Sequence, residues 1–397
     1  MNDPLHIVRV MPFHGDRFGG PVAQARLVNR ALCARGHRVT VVSADLDQPP
    51  TLPRDRWFEL DGCTTFFATA GSFASAPPYL PPRAARRAVA EALATADLAT
   101  VHVGLSRWGN LVAGLGARHR VPFVYNAEGA LDPVRLRQKR WQKALFVALC
   151  ERPVLRAAAA VHAVTAAEAA DAMRLGAEPT RVHVIPNGVE VPTPHDAAQR
   201  AHGRQRLGVP MHARLLLFLG RLHPLKGLDL ALAAAAPLLA HRPELHFAIV
   251  GPDDGAADAL RRTIAQLGLT TQVRLHAPVQ GEAKAEVLAA ADVFALTSRS
   301  EGLPNAALEA AAVGLPLWLT EACHLPEVAE FGAGRIAAAD PAALQVALAE
   351  LLAEVDAGGP AAANARTMAL ARFSLGSVVD GLEALYRAVR RRPDLTR

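Results

Sequence analysis

Short β-branched runs alternate with alanine- and leucine-rich stretches of helical spacing, and the alternation starts twice. In the first half the runs fall at His6–Met11, Arg38–Ser43, Ala99–Val103, Pro122–Asn126, Val161–Thr165 and Val182–Pro186, with helices expected at Val22–Arg35, Arg83–Thr95 and Ala166–Leu175. After the Pro/Gly-rich stretch "IPNGVEVPTP" the pattern restarts, with strands expected at Arg214–Gly220, His246–Gly251, Val273–His276, Val293–Thr297 and Leu317–Thr320. Strands separated by helices form parallel βαβ units, because a parallel pair needs a long crossover. The chain is therefore expected to be an α/β protein of two doubly wound domains, residues 1–190 and 197–375, followed by an amphipathic helix at about 376–397. Ligands of open parallel sheets gather beyond the carboxyl ends of the strands, so two such sheets are expected to face an interdomain cleft.

Bulk properties narrow the class. At 397 residues with 51% apolar and 20% charged residues, the chain suits a globular protein with two ordinary cores. Cys33, Cys63, Cys150 and Cys323 are scattered without C-x-x-C or Cys/His spacing, so neither a zinc site nor a disulfide framework is expected, and a reducing cytoplasm fits. No apolar run approaches the roughly 20 residues that span a bilayer. The net charge of +6 is uneven: residues 1–190 hold 23 Lys+Arg against 16 Asp+Glu, and the remainder 20 against 21. Much of the excess sits in Arg135–Arg156, where Arg135, Arg137, Lys139, Arg140 and Lys143 precede an apolar run. That segment reads either as a solvated helix face or as a surface attracted to anionic lipid or an anionic acceptor. No aromatic-and-basic motif accompanies it, so nucleic acid is not the expected partner.

Three stretches carry chemistry. "FGGPVAQA" follows the first strand, with Gly19 and Gly20 leading into a helix start that suits an anion. In "LLLFLGRLHPLKGLDL" a strand ends in Arg221 and Lys226, a guanidinium and an ammonium able to neutralise a diphosphate and favour its departure. In "SRSEGLPNAALEAAAVGLP", Glu301 and Glu309 stand eight positions apart in an otherwise almost uncharged run, with Pro304 expected at the first helical position. Without local cations, the two carboxylates are expected to find their partners in ligand hydroxyls, Glu309 on a ribose and Glu301 on a sugar. P-loop and G-x-G-x-x-G signatures are missing from these places.

The order of these motifs resembles the retaining glycosyltransferases of family 4, whose fold is GT-B, two Rossmann-like domains; Glu301 and Glu309 match that family's E-x7-E pattern. The resemblance implies transfer of a sugar from a UDP- or GDP-sugar to an acceptor hydroxyl with retention, without metal or cofactor, because Arg221, Lys226 and a helix start would hold the leaving diphosphate. It further implies that Gly20, Gly302, Leu303, Pro304 and Asn305 border the phosphates, and that backbone around Pro278 and Val279 reads the base. The C-terminal helix would return to the N-terminal domain. "CHLPEVAEFGAG" and "ALDPVRLRQKRWQKALF" look like members that build bacterial exopolysaccharide, which implies a glycan or lipid-linked acceptor and a place at the inner face of the plasma membrane. One departure stands out: "YNAEGAL" puts Glu128 where many relatives have a histidine. Glu128 is expected near the reacting centre, and His102, at another strand end, is a candidate on the acceptor side. A nucleotide-sugar 2-epimerase and a non-catalytic partner of a glycan-assembly complex are the alternatives.

Overall fold

The computed structural model describes residues 3–15, 18–71, 79–137, 140–193 and 195–391 of the 397-residue chain. Lys139 and the tail 392–397 of the expected last helix lie outside them. The chain divides into unit 1, Met1–Gly188 with Leu375–Arg397, and unit 2, Val189–Ser374.

Unit 1 is built on eight strands: β1 His6–Val10, β2 Arg38–Ala44, β3 Trp57–Leu60, β4 Cys63–Ala68, β5 Leu98–His102, β6 Phe123–Asn126, β7 Ala160–Ala163 and β8 Val182–Val184. Their order is β3-β4-β2-β1-β5-β6-β7-β8, parallel throughout except for the β3–β4 pair. Both faces are covered, as parallel sheets require. On one face Val8, Val10, Val101 and Tyr125 pack with Val89 and Leu93 of helix Arg83–Leu93 and Val112 of helix Arg107–His119. On the other, Ile7, Val41, Leu98 and Val124 pack with Val28 and Leu32 of helix Gly20–Ala34 and with Val379, Leu382 and Tyr386 of helix Leu375–Arg390. The last helix is thus part of the first unit's core.

The β3–β4 hairpin was not among the expected strands, although its turn is legible. "WFELDGCTTFFA" places Asp-Gly between two apolar runs, and Asp61 (φ 52°) and Gly62 (φ 75°) take the two left-handed positions of a type I′ turn.

Unit 2 holds β9 Arg214–Leu219, β10 Leu245–Val250, β11 Val273–His276, β12 Val293–Leu296, β13 Leu317–Thr320 and β14 Gly334–Ala337, all parallel, in the order β11-β10-β9-β12-β13-β14. The order reverses between β9 and β12, and the two loops that leave these strands carry Arg221, Lys226 and Glu301. β14 escaped the sequence pattern because it is four residues long and carries Arg335. No helix of the described residues is long and apolar enough to cross a membrane.

Candidate functional site

In unit 2 the site grows from the adjacent strands β9 and β12. β9 runs out through Gly220 and Arg221 into a single turn, Pro224–Lys226, and then into helix Leu228–His241. Between them stands Gly227 at φ 64°, where an added Cβ would lie 1.9 Å from the Thr297 carbonyl oxygen. That close approach brings the two loops together. Thr297 Oγ1 donates to the Gly227 carbonyl at 2.7 Å, and the Arg299 N–H donates to the Leu225 carbonyl at 2.8 Å. The Arg299 side chain forms a two-point pair with Asp229 at 2.7 and 2.6 Å, directed away from Glu301.

The loops meet at Glu301. Its carboxylate, 7% exposed, accepts from Lys226 Nζ at 2.7 Å and from Ser298 Oγ at 2.5 Å, both on Oε1. Oε2 has no hydrogen-bond partner among the described residues. Glu309, on helix Asn305–Ala312, pairs with Lys284 Nζ at 2.6 Å, from helix Gly281–Ala290. The expectation that both carboxylates lack cationic partners is therefore corrected. Lys226 lies 75 positions from Glu301 in sequence, and only the pairing of β9 with β12 makes them neighbours.

Arg221 is also engaged, through Asp254 Oδ2 at 2.5 Å, although it remains about half exposed. Pro278 and Val279 sit in the irregular stretch after β11 that leads into the helix bearing Lys284. Gly302 is half-buried, Leu303 and Pro304 are buried, and Asn305 opens the helix. Pro304 flanks that helix rather than occupying its first position, a shift of one residue. Sequence reasoning missed Ser298, Lys284 and Asp254, whose roles depend on contacts across elements. Of these Ser298 had a local signal, a hydroxyl three residues before Glu301.

In unit 1, Gly19 takes φ 69° ahead of helix Gly20–Ala34, a conformation that favours glycine. The two other candidates there meet each other. His102 at the end of β5 contacts Glu128 Oε1 through Nδ1 at 2.6 Å and Thr100 Oγ1 through Nε2 at 3.2 Å. Glu128 holds a left-handed backbone, φ 53°, just beyond β6. Burial raises its carboxyl to about 7 against the opposing pull of Arg9 and His162, while burial and Arg9 hold the His102 imidazole well below its usual range. Burial thus favours the neutral imidazole of His102 and holds the Glu128 carboxyl partly protonated near neutrality, so one proton held between Nδ1 and Oε1 suffices for the contact.

Around this pair lies a polar cluster that the sequence did not reveal. Arg9 on β1 is 2% exposed, and among the described residues neither its Nε nor the buried Glu128 Oε2 has a hydrogen-bond partner. His162 on β7 contacts Asn126 Oδ1 and the Ile185 carbonyl, the latter at 2.7 Å. Glu168 steadies the loop that carries Glu128, accepting from the N–H groups of Gly129 at 2.6 Å and Val164 at 2.7 Å. Arg9 and His162 each interrupt an apolar strand, "HIVRV" and "AVHAV", the signal by which they stand out. No cluster able to hold a metal ion occurs among the described residues.

Two parallel-sheet α/β units define the class as GT-B, and solved structures agree on the fold. Anabaena HepE in complex with UDP and glucose matches with a TM-score of 0.76 at 20% identity, over 97% of this chain and 100% of that one. WaaG, a glycosyltransferase involved in lipopolysaccharide biosynthesis, matches with a TM-score of 0.70 at 20% identity, over 96% and 99%. Residues 19–188 match the model of the glycosyl transferase 4-like domain, and residues 213–354 that of glycosyl transferases group 1. The chain belongs to the family 4 glycosyltransferases. Among curated relatives, D-inositol 3-phosphate glycosyltransferase of Streptomyces scabiei is 36% identical over 57% of this chain and 51% of its own length. The Thermobispora bispora protein of the same name is 34% identical over 68% and 65%. The chain thus spans about half to two thirds of the length of these relatives.

Proposed function

We propose that the protein transfers a sugar from a nucleoside diphosphate sugar, UDP- or GDP-linked, to an acceptor hydroxyl with retention of anomeric configuration. The observation that carries this reading is the junction of Lys226, Ser298 and Glu301 at the carboxyl ends of two adjacent strands where the sheet order reverses. That is where open α/β sheets take nucleotides. Lys226 and Arg221 are cations suited to a leaving diphosphate, and a change of partner from carboxylate to phosphate would be an exchange of like for like. Glu301, held by Lys226 and Ser298, would turn its Oε2 to the sugar hydroxyls. Gly302 to Asn305 would border the phosphates, Glu309 would hold the ribose, and Pro278 and Val279 would line the base. Arg221, Lys226 and the helix start would take on the charge neutralisation that a metal performs elsewhere.

In unit 1, His102 from the neighbouring strand lies beside Glu128, and its imidazole would serve in place of the histidine that "YNAEGAL" lacks. The pair would lie near the reacting sugar or the acceptor, with Gly19 and Gly20 toward the phosphates. A glycan or lipid-linked acceptor in surface polysaccharide synthesis is the reading kept from the sequence. The names of the curated relatives add D-inositol 3-phosphate as an acceptor to try.

Incubation with UDP-glucose or GDP-mannose in EDTA, with lipid-linked saccharide or D-inositol 3-phosphate, should yield a transferred product. Lys226→Ala should lower kcat about 100- to 1000-fold, the effect typical of losing one transition-state charge partner. An unchanged rate in that variant would remove the assignment; free isomerised sugar would instead favour an epimerase.

A further inference from the structure

Two of the four thiols meet inside unit 1. Cys33 lies in the last turn of helix Gly20–Ala34, and Cys63 is the first residue of β4. They stand 30 positions apart in sequence, yet their Sγ atoms lie 3.5 Å from each other. Both are free cysteines; Cys63 is 2% exposed and Cys33 is half-buried, so one member of the pair is within reach of solvent. The other two thiols are placed differently. Cys150 Sγ accepts from Arg107 Nη1 at 2.9 Å, and the buried Cys323 touches Thr320 Oγ1 and the Leu296 carbonyl.

A cysteine reacts as its thiolate. The contact with Cys63 lowers the Cys33 thiol to about 7, with the Val39 backbone and Arg9 acting in the same sense and burial and Glu59 against it. The same contact, together with burial, raises Cys63. The half-exposed partner is thus the readier nucleophile, and the enclosed one is held against it. A disulfide needs the sulfurs to close from 3.5 Å to about 2.0 Å. The β3–β4 hairpin lies at the edge of the sheet and Cys63 directly follows its Asp61-Gly62 turn, so this short approach displaces no central strand.

We propose that Cys33 and Cys63 are a site of reversible oxidation by hydrogen peroxide, at which Cys33 reacts first and Cys63 closes the disulfide. The Cys33 thiolate attacks one peroxide oxygen, the O–O bond breaks, and the departing hydroxide takes up the proton that Cys33 gave up. Cys33 then carries S–OH. The Cys63 sulfur attacks Cys33 Sγ, the S–O bond breaks, and the hydroxide that leaves takes the Cys63 proton. Two thiols and one hydrogen peroxide thus become one disulfide and two waters, the sulfurs losing the two electrons that the peroxide oxygens gain. A small dithiol restores both thiols by exchange. The bond ties the end of helix Gly20–Ala34 to the edge hairpin and keeps Cys33 from the irreversible sulfinic acid. The inference rests on unit 1 alone and does not depend on the transfer reaction.

The test treats the folded full chain with equimolar hydrogen peroxide, then unfolds, alkylates and digests it and weighs the peptides. A peptide pair joined through Cys33 and Cys63 and separated by dithiothreitol is expected, with Cys150 and Cys323 lost at least about tenfold more slowly. In Cys63→Ser, Cys33 should stop at the sulfenic acid and be captured by dimedone. In Cys33→Ser, Cys63 should remain a thiol. An unmoved thermal transition reports that each variant is folded, and the wild-type peptides decide the matter where one is not. No oxidation of either cysteine, all four thiols lost at one rate, or Cys33 passing to sulfinic acid while Cys63 is still alkylated would overturn the proposal. So would a disulfide that joins two chains, seen as a dimer on a non-reducing gel.

Discussion

Glu301 shows how far a residue's neighbours along the chain can mislead. The nearest cation in sequence is Arg299, but its guanidinium turns to Asp229, and the partner that arrives is Lys226 from another loop. The spacing of Glu301 and Glu309 was legible because it lies within one loop and one helix; their lysines were not, because strand order decides them. Two buried histidines make the stability depend on pH. His14 is pushed down to about 3 by burial and by Arg26 and Arg9, and His162 to about 4, chiefly by burial. A histidine whose folded pKa is depressed contributes stability that is complete above its unfolded value of about 6.5 and is lost as pH falls toward the folded value. Glu128 and Glu151, each raised to about 7 by burial, act in the opposite sense: their contribution is complete below about 4.5 and is lost as pH rises to about 7. Between pH 4.5 and 6.5 the two sets oppose each other. Replacing His14→Gln should therefore remove roughly 1.4 kcal/mol per pH unit of acid-side slope in that window, read from urea midpoints at several pH values. An unaltered slope would mean that His14 takes its proton in the folded state.

Among elements, the strand–helix alternation was legible because each unit repeats one physical motif, an apolar strand and a covered face. The elements that escaped are a hairpin at the edge of unit 1 and the four-residue β14 at the edge of unit 2. Edge strands are short and partly polar, so their pattern is weak, though the Asp61-Gly62 turn was readable. The junction of the two site loops depends on Gly227, which has no side chain to obstruct Thr297. Gly227→Ala combines a left-handed backbone with a Cβ at 1.9 Å from a carbonyl oxygen. It should destabilise unit 2 by more than about 3 kcal/mol and reduce nucleotide affinity in parallel. Calorimetry that shows an unmoved transition would mean that the loops separate at little cost.

For the whole molecule, the chain returns at its end to the unit with which it began. Helix Leu375–Arg390 buries Val378, Val379, Leu382, Leu385, Tyr386 and Val389 against unit 1. Six such side chains at about 1.5–3 kcal/mol each amount to as much as a domain's entire stability of roughly 5–15 kcal/mol. Truncation after Ser374 should therefore leave unit 1 unfolded, with a fragment near 189–374 surviving limited proteolysis; survival of a fragment near 3–188 would contradict this. The proposed function requires that unit 2 bind a nucleoside diphosphate at the loops after β9 and β12. It is tested most directly by thermal unfolding with UDP, GDP, ADP and dTDP in EDTA, beside Arg221→Ala, a change at a half-exposed side chain. A diphosphate at about 100 times its dissociation constant should stabilise the wild type by roughly 2.7 kcal/mol and the variant much less. No shift with any of the four, or the same shift in both proteins, would contradict the claim.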